Sequence, residues 1–131
     1  MKVLIIENEY DSILPVFNAV EKLVLKQELE KVHIDKSQNI PWTELTSFNA
    51  IFIDLSLATK SLQDGYGIIE RLKEQAPEIL RKVAIITGND MVQNNLKERG
   101  LSECNIQVFE KPLRYKEIAA FINKEVSHTS S

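Results

Sequence analysis

Only one cysteine, Cys104, occurs in the 131 residues. A single thiol closes no internal disulfide, so a reducing compartment fits best. Glycine and proline are sparse, at four each, and the chain shows no internal repeat and no room for a second domain. Basic residues are no majority: 16 Lys and Arg face 19 Asp and Glu, for a net charge of −3. No basic patch stands out, which argues against a nucleic-acid partner. Long apolar runs are missing too. The start, Met1-Lys2-Val3-Leu4-Ile5-Ile6-Glu7, carries four apolar residues in a row before an acid, too short for a signal peptide. Nothing nears the roughly 20 apolar residues of a membrane span. These absences leave a soluble chain with no membrane partner, expected in the cytoplasm, of a length that suits one domain with one proper core.

The most informative stretch is Ala50-Ile51-Phe52-Ile53-Asp54-Leu55. β-Branched and aromatic residues without polar alternation suit a strand covered on both faces, as inside a parallel sheet. Ending such a strand on an acid is unfavourable unless the carboxylate meets water or a cation. The carboxyl ends of parallel strands are also where open α/β sheets place their ligands. Asp54 is therefore either a site residue or the cap of the following turn, and the strand alone leaves both open.

The remaining elements decide between them. Val3 to Ile6 is a second apolar strand, running into Glu7, Asn8 and Glu9. Ile13, Val16, Phe17, Val20, Leu23 and Val24 recur at helical spacing, with Asp11 or Ser12 as candidate cap and Pro15 near the first turn. Val32-His33-Ile34 is a short strand, and Pro41 to Leu45 opens a short helix. After the polar stretch from Ser56 to Gly65, Gly67 to Gln75 is helical, with Pro77 near its end. Val83 to Ile86 is a strand ending on Thr87-Gly88, and Met91, Val92 and Leu96 mark a short helix that Gly100 can stop. Ile106 to Phe109 is the fifth strand, ending on Glu110-Lys111-Pro112. Tyr115 to Val126 is the last helix, which makes residues 1–126 the domain and residues 127–131 a loose tail.

Strands alternating with helices predict a parallel sheet with helices on both faces. All strand ends then lie along one edge. Glu7-Asn8, Asp54, Thr87-Gly88 and Lys111-Pro112 converge there, which favours the site reading of Asp54. His33 and His128 receive no role, Trp42 reads as packing, and Cys104 reads as inert.

The pieces KVLIIENE, AIFIDLSL, DGYGIIERLK, VAIITGND and VFEKPL, in this order, resemble the receiver domain of two-component response regulators over nearly the whole chain. The resemblance implies a flavodoxin-like, doubly wound five-stranded sheet of order 2-1-3-4-5. It also implies a stand-alone regulator of the chemotaxis type. Asp54 would accept a phosphoryl group from a histidine kinase, a phosphotransfer protein or a small acyl phosphate, and the signal would pass in trans to a downstream protein. Any loss of that group would be slow self-hydrolysis and no enzymatic turnover. Mg²⁺ would sit on Glu7, Asn8, Asp54 and the backbone carbonyl of Ser56, because this hard ion takes oxygen ligands. Lys111 would bind a phosphoryl oxygen as a point charge, Thr87 would donate its hydroxyl, and the Gly88 amide could add a backbone bond. The Lys111-Pro112 bond would be cis, as is usual in the family.

Four positions depart from the pattern. Asn8 stands where the family has a second acid, so Mg²⁺ should bind less tightly. Gly65 comes eleven positions after Asp54, a longer connection than the family's. Val108 occupies the place of an aromatic switch residue, with Phe109 beside it on the opposite face. The stretch from Gly100 to Lys111 is also long. A degenerate receiver that binds partners without phosphorylation is the alternative reading. A flavoprotein on the same fold fits worse, because Glu7-Asn8-Glu9 puts acid where a phosphate cradle would be.

Overall fold

The computed structural model describes residues 1–55, 57, 61–88 and 92–130, with only the backbone described from 125 to 130. Its strands are β1 (Lys2–Ile6), β2 (Glu30–Ile34), β3 (Ala50–Asp54), β4 (Val83–Thr87) and β5 (Gln107–Glu110). They pair in parallel in the order β2-β1-β3-β4-β5. Composition explains the order. The apolar runs of β1, β3 and β4 take the three central places, and every residue of β3 and β4 is buried. The more polar β2 and β5 form the edges, where exposed residues are tolerated.

Side-chain alternation divides the core in two. Leu4, Ile6, Ile51, Ile53, Val83 and Ile85 face helices α2 (Gly65–Gln75) and α3 (Val92–Glu98). Val3, Ile5, Ala50, Phe52, Ala84, Ile86 and Phe109 face α1 (Tyr10–Ala19) and α4 (Tyr115–Ser130). On this second face Phe52 meets Phe17 and Phe121 edge-on, with centroids 5.1 and 5.8 Å apart. The expected fold class, with its strand order and two helical layers, is the one observed.

Several boundaries differ from the sequence reading. Helix α1 starts at Tyr10, so neither Asp11 nor Ser12 is its cap; Glu9 stands there, and no side chain caps the end. Pro15 consequently lies inside the helix. The helix then widens into a π turn over Val20–Leu25 and stops at Lys26, whose φ is +53°. Leu23 is 60% exposed, so it leaves the buried stripe that a regular α-helix would have given it. Helix α2 begins two residues before the expected Gly67, capped by Asp64, whose Oδ1 accepts from the Gly67 amide at 2.8 Å. The β2–β3 crossover contains no α-helix, only 3-10 turns at Ser37–Asn39 and Trp42–Ser47. Trp42 does pack there, under the Arg71 guanidinium at 3.9 Å from the ring centre. The backbone of α4 runs on to Ser130, so residues 127–130, read as tail, are helical.

The long connection after Asp54 is fastened at its far end. The Ser37 amide donates to Ser61 Oγ at 2.8 Å, the Gln63 amide to Ser37 Oγ at 2.9 Å, and the Leu62 amide to Gln38 Oε1 at 3.0 Å. Its end then returns to β3. The Gly65 amide bonds the Leu55 carbonyl at 3.2 Å, and a Cβ on Gly65 would lie 2.5 Å from the Asp54 carbonyl oxygen. Only glycine lets α2 start this close to β3. Among the described residues no helix is long and apolar enough to cross a membrane.

Candidate functional site

The carboxyl edge of the sheet gathers the charged residues. Asp54 ends β3, beside β1, and Glu7 is the first residue past β1. Both are buried, at 5% and 0% exposure, in a molecule that otherwise buries few charged groups. Lys111 reaches them from the end of β5. Its Nζ lies 3.0 Å from Glu7 Oε2 and 3.2 Å from Asp54 Oδ2. The lysine's backbone is tied to β4, since its amide donates to the Thr87 carbonyl at 2.7 Å; its bond to Pro112 is cis, as expected.

The electrostatics follow from this packing. Burial pushes the Glu7 carboxyl up to about 7, and a hydrogen bond shared with Asp54 adds to the rise while Lys111 opposes it. Burial also works against the charge on Lys111, but Glu7 and Asp54 outweigh it and hold its pKa above the ordinary lysine value. One ammonium thus serves two carboxyl groups that compete for it. The site gains from any further positive charge and tolerates a proton on Glu7.

Of the other candidates, Thr87 ends β4 opposite Glu110 and is 2% exposed. Asn8 is exposed on the turn after Glu7, on the solvent side of these groups. Gly88 is exposed, and a Cβ there would meet nothing within 4 Å. Ser56 lies outside the described residues, as does Met91. Direct contacts join Glu7, Asp54 and Lys111, and a backbone hydrogen bond links Lys111 to Thr87. Oxygen donors for a hard cation are the carboxylates of Glu7 and Asp54 and the amide of Asn8. No three His, Cys, Asp or Glu side chains group as a metal cluster among the described residues.

Val108 is half-buried on the α2–α3 side of the sheet, whereas Phe109 packs on the other side against Phe121, with centroids 5.9 Å apart. Tyr66 is an aromatic side chain on the α2–α3 side. Its hydroxyl accepts from Asn95 Nδ2 at 3.0 Å, and the Arg99 guanidinium lies 4.6 Å from its ring centre. Sequence reasoning missed His33. Its Nε2 lies 2.6 Å from the Glu7 carbonyl oxygen, and its ring is stacked on Tyr10. The available signal was a histidine in the strand next to β1, one residue from its end.

No family model matches the chain, and no curated protein matches it. Solved structures do match its shape. The receiver domain of the Francisella response regulator 1452 superposes with a TM-score of 0.70 at 16% identity, covering 98% of each chain. The signal receiver domain of a DNA-binding response regulator from Colwellia psychrerythraea gives 0.70 at 20% identity, covering 97% of this chain and 98% of that one. A response regulator receiver domain protein from Clostridium thermocellum gives 0.68 at 17% identity, over 98% and 96%. The chain has the flavodoxin-like fold of response-regulator receiver domains.

Proposed function

We propose that this receiver fold accepts a phosphoryl group on Asp54 from a histidine kinase or phosphotransfer protein, in a two-component phosphorelay, and passes the signal to a partner protein. The observation that carries the reading is the contact of Lys111 Nζ with Asp54 and Glu7 at the mouth of the central strands. A carboxylate nucleophile needs a cation beside it to receive an anionic group. An Asp54 oxygen attacks phosphorus as the bond from phosphorus to the donor's imidazole nitrogen or acyl oxygen breaks, and that bond's electron pair leaves with the donor. Lys111 then shifts its charge toward a phosphoryl oxygen, and Thr87 supplies a hydroxyl donor.

The donor set fits Mg²⁺, because two crowded carboxyl groups, one pushed up to about 7, are an oxygen pair that shares a single ammonium, that of Lys111. Glu7, Asp54, Asn8 and the backbone just after Asp54, at Ser56, would hold it. When bound, the ion neutralises charge on the transferring group and keeps both acids ionised. Asp54 takes up one group per chain, which makes the protein a phosphoryl acceptor with no turnover of its own. A soluble kinase domain as donor would place it in the cytoplasm.

The second reading is a receiver that docks partners without phosphorylation. Val108 favours it: the position carries no ring that could follow Thr87, so a switch of that type is missing. Incubation with acetyl phosphate and Mg²⁺, followed by intact mass, separates the two. One added phosphoryl group that disappears in Asp54→Ala supports transfer. No added group from acetyl phosphate or from a cognate kinase supports docking alone.

A further inference from the structure

We propose that His33, on the edge strand β2, is a positioning residue that fixes the acidic turn after β1, so that Glu7 and Asn8 face a bound divalent cation. The proposal rests on the reading above that this turn helps to hold such an ion.

The turn needs a brace from outside. Glu7 to Glu9 link the end of β1 to the start of α1, and that helix has no side-chain cap to stiffen its entry. Parallel pairing ends here as well: the Glu7 amide donates to the Ile34 carbonyl at 3.0 Å, after which β2 is over. The Glu7 carbonyl is instead met by the His33 ring, with Nε2 at 2.6 Å. A carbonyl can only accept, so Nε2 carries the hydrogen. The neutral ring with its proton on Nε2 and the protonated ring both provide it, so the brace does not depend on the ring's charge. Tyr10, the first residue of α1, lies flat on the same ring, with centroids 4.2 Å apart and planes 11° from parallel. The Glu9 amide closes the turn on Glu7 Oε1 at 3.1 Å. One imidazole therefore ties together the end of β1 and the start of α1, while the carboxyl group between them points to Lys111 and Asp54.

With Asn8 where a second charge would help, geometry has to supply more of the affinity. Groups that orient metal ligands from outside commonly change metal affinity by about 10–100-fold when removed.

The test uses His33→Ala and His33→Gln, the second keeping an N–H donor on a flexible stem. Amide exchange is followed by NMR in metal-free protein, and Mg²⁺ affinity by calorimetry. In His33→Ala the Glu9 amide should exchange on the order of tenfold faster while the strand amides of Ile5 and Phe52 keep their rates, and Mg²⁺ binding should weaken about tenfold. His33→Gln should recover part of both losses. An unchanged Glu9 rate overturns the brace whether or not metal binds, and so does equal acceleration of Glu9 and the strand amides, which marks general loosening. A faster Glu9 amide with unaltered Mg²⁺ affinity overturns the role toward the cation. Wild-type protein that binds no Mg²⁺ overturns that role together with the cation reading, and the Glu9 rate still judges the brace separately.

Discussion

The two edges of one sheet each carry a buried or half-buried lysine, and they are used differently. Lys82, just before β4 on the amino edge, is 8% exposed and donates to the Phe48 carbonyl at 2.7 Å. Lys111, just past β5 on the carboxyl edge, lies against two carboxyl groups. A main-chain carbonyl keeps its place as long as the fold does, and it cannot change charge. Two carboxyl groups can gain a proton, a metal or a phosphoryl group. Burial of a lysine therefore says little about function, whereas the chemistry of what faces it says a good deal.

The sharpest way to break this contrast is to remove both ammonium groups in turn. Lys111→Met should lower phosphoryl uptake from acetyl phosphate by roughly 100-fold or more, the scale of losing one charged stabiliser at a reacting oxygen. The fold should survive, because Glu7 can take up a proton in place of its ion pair. Uptake at the wild-type rate, followed by intact mass against time, would remove Lys111 from the mechanism.

The carboxyl edge should also make stability depend on pH. Glu7 is raised from 4.5 to about 7 in the folded protein, so between these values the native state holds a proton that the unfolded chain releases. The stabilisation is complete below about 4.5 and is lost as pH rises to about 7. Its size is at most about 3 kcal/mol. Urea unfolding with a chelator present should show this decline, Glu7→Gln should flatten it, and saturating Mg²⁺ should reduce it by favouring the ionised acid. A flat profile in the metal-free wild type would mean that Glu7 is not perturbed.

Lys82→Met is the matching change at the amino edge. It leaves the Phe48 carbonyl without this donor, a loss of about 1–3 kcal/mol, with phosphoryl uptake unchanged once the sample is folded. Asp64→Ala removes the cap of α2 and should lower stability by about 1 kcal/mol. Denaturation midpoints check both, and a fall in phosphoryl uptake for Lys82→Met would show that the two edges are coupled.

Much of this arrangement is legible in the sequence because it follows from simple patterns. Uninterrupted apolar runs mark β1, β3 and β4 as central, and the polar residue after each marks one edge of the sheet. Glu7, Asp54, Thr87 and Lys111 are readable for that reason. What stays hidden depends on packing between distant segments. The π turn at Val20–Leu25 has the same hydrophobic spacing as an α-helix would until Leu23 is seen in solvent. The early start of α2 depends on Gly65 lying against the Asp54 carbonyl, a contact that helical periodicity does not encode. His33 resembles any polar residue of an edge strand until β2 is placed in register beside Glu7.

Asn8→Asp probes the smallest effect and the solvent side of the same site. The substitution restores a charge next to two carboxyl groups, which should tighten Mg²⁺ binding. The site holds one lysine against Glu7 and Asp54, so without metal the added acid adds repulsion, and with metal that repulsion turns into attraction. Asn8 is exposed, however, and water screens a surface charge far more than a buried one. The gain should therefore be a few-fold in affinity, corresponding to roughly 0.5–1 kcal/mol, and should shrink as salt is added. NMR titration of the Glu9 amide is a suitable reporter, since that amide is bonded to Glu7 Oε1. Affinity that stays the same at low salt would mean that the position-8 side chain does not face the cation, and that Glu7 and Asp54 supply the protein's charged ligands alone.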